Sequence, residues 1–311
     1  MVRPRALRPG SRIAIVSPAS PFDRAEFDAG LAELRALGYE PVHDERVFAR
    51  EPMVSGPARL RADAFLDALR DPSIDAILAV RGGYGSVEIL PYLDARELRA
   101  ARKIICGYSD ITSLLVYAVC HAGLVAFHGP MIDRRLSRGE AGYHRASFAA
   151  ALTTPAPMGR LAAPGLSVLK DGAAEGLLIG GTLTQIAAGL GTPYAMRPDT
   201  FDQPSILFIE DVAERPYKLR RMLMQLKLAG ALDRVTGIVI GMMAGCDEPN
   251  GTPTACEAMT SFFQDFQGPV ISGFPSGHGD APVWTLPFGV RASLTTRDGA
   301  ALSIDEPAVE G

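Results

Sequence analysis

In Lys103-Ile104-Ile105-Cys106-Gly107-Tyr108-Ser109-Asp110 a short apolar run turns abruptly into a segment whose apolar residues fall at Ile111, Leu114, Leu115, Ala118 and Ala122, the spacing of one helix face. A serine at such a strand-to-helix corner lies at the positive end of the helix with its oxygen turned outward, an arrangement that suits a nucleophile. Ser109 or Asp110 could equally do no more than cap the helix. A serine nucleophile needs a base, and the chain offers five histidines. His43 and His144 fall in polar or mixed segments expected at the surface. His121 lies about 18 Å along the Ser109 helix by the helical rise, too far to assist. His128, at the carboxyl end of an expected strand, and His278 remain. His278 sits in Ser276-Gly277-His278-Gly279-Asp280, where flanking glycines let the backbone turn tightly and expose the ring. The base in turn needs a carboxylate to fix its tautomer and stabilise the imidazolium. Glu210 ends the apolar run Ile206-Leu207-Phe208-Ile209 and is followed by Asp211, which puts two acids at the end of a buried strand. Such an acid could also cap the next segment or meet an arginine.

The elements that must position these groups alternate. Residues 12–16, 76–80, 103–107 and 124–128 read as short apolar strands, and residues 39–48 could hold a further one. Between them, residues 23–37 carry Phe27, Leu31, Leu34 and Leu37 at helical spacing, and a second helix starting at Ser55-Gly56-Pro57 carries Leu60, Phe65, Leu66 and Leu69. A third is expected to begin near Ser86, after the glycine loop Arg81-Gly82-Gly83-Tyr84-Gly85. This alternation predicts an N-terminal doubly wound, mostly parallel α/β domain over residues 1–153. Its working loops should lie at the carboxyl ends of the strands: the glycine loop, the Ser109 corner and His128-Gly129-Pro130. A Pro-, Gly- and Ala-rich stretch at 154–165 reads as a linker. Residues 166–311 read as a smaller mixed α/β domain, with strands near 177–181, 205–209, 236–240 and 269–273, a helix over 216–229 and a hairpin around Asp298-Gly299.

With 311 residues, of which 47% are hydrophobic and 21% charged, the chain has the make-up of a globular enzyme with a sizeable core. A net charge of −4 without basic runs leaves no footprint for nucleic acid or an anionic membrane. No apolar run is long enough to span a bilayer, and the arginines at positions 3, 5, 8 and 12 precede no signal-like apolar segment, so a cytoplasmic protein is expected. The four cysteines are widely spaced and the histidines lack metal-ligand spacing, which argues for chemistry without a metal or cofactor.

Taken together, Arg81-Gly82-Gly83-Tyr84-Gly85, Gly107-Tyr108-Ser109-Asp110, His128-Gly129-Pro130-Met131, Leu207-Phe208-Ile209-Glu210-Asp211, Arg221-Met222-Leu223 and Gly277-His278-Gly279 occur in an order that closely resembles the LD-carboxypeptidase (muramoyltetrapeptide carboxypeptidase) family of serine peptidases. The resemblance spans residues 12 to about 289 and implies a triad of Ser109 as nucleophile, His278 as base and Glu210 as its orienting acid. It also implies an oxyanion hole from the backbone amides of Gly83 and Asp110, a site assembled between two domains, and usually a homodimer. The implied substrate is a small peptide or muropeptide that loses a terminal D-alanine. Two features depart from the family pattern: Thr182 follows Gly180-Gly181 where the family often carries asparagine, and Ser276 stands where it often has a bulkier apolar residue. Within the family the alternative is a microcin-immunity-like peptidase acting on aminoacyl-nucleotide conjugates, whose extra loop carries a base-stacking aromatic. Here the lone tryptophan, Trp284, is near the C-terminus and the linker is short, which favours the muropeptide. From another class, a non-catalytic α/β protein could cradle a small anion at the 82–85 loop.

Overall fold

Apolar runs with no polar alternation demand burial on both faces, and they form the centres of two sheets. The computed structural model describes residues 1–161 and 163–311; Ala162, within the expected linker, lies outside the described residues. The first half contains β1 (Arg12–Val16), β2 (Glu40–Val42), β3 (Ala76–Ala79), β4 (Ile104–Gly107) and β5 (Ala126–His128). Helices α1 (Arg24–Ala36), α2 (Ala58–Arg70), α3 (Ala95–Ala101), α4 (Thr112–Val116) and α5 (Arg145–Thr153) accompany them. The second half adds β6 (Gly159–Leu161), β7 (Ser167–Lys170), β8 (Ala173–Thr182), β9 (Ser205–Val212), β10 (Val235–Ala244), β11 (Val270–Ser272), β12 (Leu286–Phe288), β13 (Arg291–Thr295) and β14 (Ala301–Ile304). Its helices are α6 (Leu183–Gly189), α7 (Pro216–Leu228) and α8 (Ala255–Phe262).

The first sheet runs β12-β5-β4-β3-β1-β2. Its pairings are parallel except the one between β12 and β5, where Leu286 faces His128 and Phe288 faces Ala126. The second sheet has eight strands in the order β6-β14-β13-β8-β9-β10-β11-β7, parallel from β8 through β11 and antiparallel at both ends. Thus β12 crosses into the first sheet from the second half, and β6, inside the expected linker, pairs with β14.

Along β9, Ile206, Leu207, Phe208 and Ile209 are all fully buried, each contributing about 2 kcal/mol by leaving water. Phe208 spans the two halves, its ring 5.0 Å from that of His128 and 6.1 Å from Phe288. Among the described residues no helix is long and apolar enough to cross a membrane.

Three local expectations need correction. Residues 39–48 give only the three-residue β2, after which the Asp44 side chain caps a short 3-10 turn at Glu45–Phe48. The expected helix near Ser86 is a seven-residue 3-10 segment, Ser86–Tyr92, with Pro91 inside it; proline lacks the amide a longer α-helix would use. After Ser109 the chain passes through a 3-10 turn and five residues of α4, then widens into a π turn at Tyr117–His121. There the Tyr117 hydroxyl reaches out to the Leu93 carbonyl at 3.0 Å.

Candidate active site

Strand β4 ends at Gly107, and the chain then turns within two residues: Tyr108 is extended while Ser109 takes φ +64°, a left-handed conformation rare for a residue with a side chain. Such strain costs of order 1–3 kcal/mol and persists only where the surroundings impose it. Gly82 allows the close approach that does so, because a β-carbon there would lie 2.7 Å from Ser109 Cβ and 2.9 Å from its Oγ. Beyond the corner, the Ser86 amide donates to Asp110 Oδ2 at 2.7 Å and the Ser86 hydroxyl donates to the Asp110 carbonyl at 2.5 Å, tying the glycine loop to the helix start. Burial pushes the Asp110 carboxyl up despite these bonds, and its Oδ1 has no partner among the described residues.

From the second half come the other two groups. His278 Nε2 is 2.9 Å from Ser109 Oγ, and His278 Nδ1 is 2.7 Å from Glu210 Oε2. The same carboxylate oxygen accepts the backbone amide of His278 at 2.9 Å, and the Thr182 hydroxyl donates to Oε1. Glu210 is 0% exposed, two residues before the end of β9. Burial alone would raise its carboxyl, but the hydrogen bond and charge of His278, helped by His128 and Thr182, hold it below the usual carboxylate range. Its Oε2 therefore fixes Nδ1 as the protonated nitrogen and leaves the Nε2 lone pair facing the serine. Gly277 makes the tight loop possible: with φ +101° it suits a residue lacking a side chain, and a β-carbon would sit 2.3 Å from Glu210 Oε2. The structure thus gathers Ser109, His278 and Glu210 into one hydrogen-bonded line, with residues from both halves.

The two candidate oxyanion donors flank the serine. Asp110 follows it at the helix start, and Gly83 follows Gly82, where an added β-carbon would run into the Ser109 side chain. Neither amide is used in a backbone hydrogen bond among the described residues.

The remaining histidines go elsewhere. His128 is fully buried under Tyr108, Phe208 and Phe288, with both ring nitrogens unpartnered among the described residues. Burial pushes its pKa down to about 4, and neither ring nitrogen reaches Ser109, whose hydroxyl meets His278 instead. His144, expected at the surface, is half-buried and stacks on Trp284 at 4.1 Å between centroids. His121 bonds the Ala195 carbonyl. Arg81, which opens the glycine loop, pairs with Asp133 at 3.2 Å, whereas Arg135 is buried against backbone carbonyls. Asp211, beside Glu210, accepts the amide and hydroxyl of Thr184, and burial raises its pKa to about 6. Thr182 was visible in the sequence only as a departure from a family pattern. Its amide also donates to Thr112 Oγ1 at 3.0 Å, joining β8 to α4. Among the described residues no three His, Cys, Asp or Glu side chains gather so as to hold a metal ion.

Comparison with known proteins gives a consistent result. The family model for the LD-carboxypeptidase N-terminal domain matches residues 13–129, and that for the LD-carboxypeptidase C-terminal domain matches residues 175–294. A putative carboxypeptidase of Streptomyces coelicolor is 37% identical over 99% of this chain and 98% of its own. The murein tetrapeptide carboxypeptidase of Pseudomonas aeruginosa is 32% identical over 91% of this chain and 92% of its own. Among solved structures, the microcin C7 self-immunity protein MccF in complex with aspartyl sulfamoyl adenosine superposes with a TM-score of 0.88 at 25% identity, covering all of both chains.

Proposed function

This chain belongs to the LD-carboxypeptidase family, and on that premise we propose that it is a serine carboxypeptidase releasing terminal D-alanine from muropeptide tetrapeptides in the cytoplasm, as part of peptidoglycan recycling. The observation that carries this reading is the line from Ser109 Oγ through His278 to the buried Glu210 carboxylate. In the proposed reaction Ser109 Oγ attacks the carbonyl carbon of the L,D bond while His278 Nε2 takes its proton. The amides of Gly83 and Asp110 receive the oxyanion, and losing one such donor would cost about 3 kcal/mol of transition-state stabilisation. His278 then returns the proton to the departing amine of D-alanine, leaving an acyl-enzyme on Ser109. Water, deprotonated by His278, attacks the ester, and the serine regains its proton as the shortened peptide leaves. Glu210 keeps Nδ1 protonated and stabilises the imidazolium in both halves of the cycle.

The division into units 1–153 and 166–311, joined through 154–165, and a homodimeric assembly belong to the same proposal. The place of the one tryptophan, Trp284, near the C-terminus and the shortness of the linker support the muropeptide over an aminoacyl-nucleotide. The test is turnover of both substrates, side by side, by wild type and Ser109→Ala. Release of D-alanine by wild type and its loss in the variant is the expected result. Full release by Ser109→Ala refutes the mechanism, faster cleavage of the aminoacyl-nucleotide refutes the substrate, and anion binding without turnover of either leaves a binding protein.

A further inference from the structure

Arg135 is 6% exposed, and no carboxylate lies within ion-pair distance of its guanidinium among the described residues. A buried cation without a counter-ion is costly and must be solvated by dipoles. The dipoles chosen here are informative. Nη2 donates to the carbonyls of Gly277 at 3.1 Å and Gly279 at 3.0 Å, the residues on either side of His278. Nη1 donates to the Ala281 carbonyl at 3.2 Å, further along the same loop, and to Gly142 at 3.5 Å. Nε donates to the Tyr108 hydroxyl at 2.9 Å, on the residue preceding Ser109. The Tyr108 ring also lies 5.1 Å from the His278 ring, with the guanidinium 5.5 Å from its centroid. One side chain of the first half thus holds both the corner that carries Ser109 and the loop that carries His278.

We propose that Arg135 is a positioning residue that sets His278 against Ser109 by clamping the Gly277 and Gly279 carbonyls while anchoring Tyr108. The inference rests on reading Ser109 and His278 as the reacting pair. A planar five-donor fork can serve three loop carbonyls and a phenol at once; an ammonium on a flexible stem cannot. Without the clamp, the glycine-flanked loop is free to shift, and a misplacement of about 1 Å costs about 10²-fold in rate.

The experiment measures kcat and KM for D-alanine release from a tetrapeptide muropeptide, together with thermal unfolding, for wild type, Arg135→Lys and Ser109→Ala. The expected result is a folded Arg135→Lys enzyme whose kcat falls on the order of 10²-fold while KM changes less than about twofold. Wild-type kcat in Arg135→Lys, or a loss carried by KM alone, overturns the proposal. Should Arg135→Lys not fold, Tyr108→Phe, which removes one acceptor and keeps the guanidinium, decides: a several-fold lower kcat supports the clamp and an unchanged kcat overturns it. Activity retained by Ser109→Ala would remove the reacting pair itself. An inactive Ser109→Ala beside a fully active Arg135→Lys would sink the clamp alone.

Discussion

Replacing Glu210 by glutamine isolates what its charge contributes. The amide can keep its oxygen on the position that now accepts the backbone amide of His278 at 2.9 Å and its Nδ1–H at 2.7 Å. It then turns its NH2 toward Thr182, whose hydroxyl can rotate to accept. The tautomer and loop geometry survive, and only the negative charge facing the imidazolium is lost. With charge centres about 4 Å apart and an effective dielectric constant of about 20, that attraction is worth about 4 kcal/mol. At about 1.4 kcal/mol per decade, kcat/KM for D-alanine release should fall on the order of 10³-fold. A coupled D-amino-acid oxidase assay reads this directly, with unfolding by denaturant checking that the buried substitution is tolerated. Activity within tenfold of wild type, about 1.4 kcal/mol, would refute the assignment of imidazolium stabilisation to Glu210.

Two further predictions concern pH and have opposite signs. The pKa of His128 is depressed from 6.5 to about 4, so its contribution to stability is complete above 6.5 and is lost as pH falls through about 4. Relative to His128→Phe, wild type should lose on the order of 3 kcal/mol across that window in urea unfolding, and parallel profiles would rule this out. Asp211 behaves in reverse, its pKa being raised from 3.8 to about 6: its contribution is complete below 3.8 and is lost as pH rises through about 6. Asp211→Asn should therefore gain on wild type by on the order of 3 kcal/mol between those limits, unless the pH dependence of the two proteins coincides.

What could be read in advance was whatever local pattern encodes. The corner at Ser109, the acid closing the apolar run of β9 and the glycine-flanked His278 are each visible in a few consecutive residues, and the structure joins them. Pairings decided by distant chain segments were not visible. Leu286-Pro287-Phe288 is too short and proline-interrupted to read as a strand, yet it completes the first sheet against β5. His128 looks like a loop-end base until the rings of Tyr108, Phe208 and Phe288 close over it. Arg135 binds carbonyls, and backbone acceptors leave no signature in the identities of the residues that supply them. The Ser86–Tyr92 segment and the turn after β2 diverge from expectation because a proline and an aspartate cap outweigh the spacing of apolar residues.

The strand that β12 lends to the first sheet has a consequence for how the protein can be taken apart. A fragment stopping ahead of residue 286 would leave β5 as a bare edge, with unpaired amides beside fully buried Ala126 and Phe127. Open edges of that kind recruit other chains, so the fragment should clump where the whole protein does not. The chain is stitched across its own seam, and neither half can be lifted out as a ready-made module.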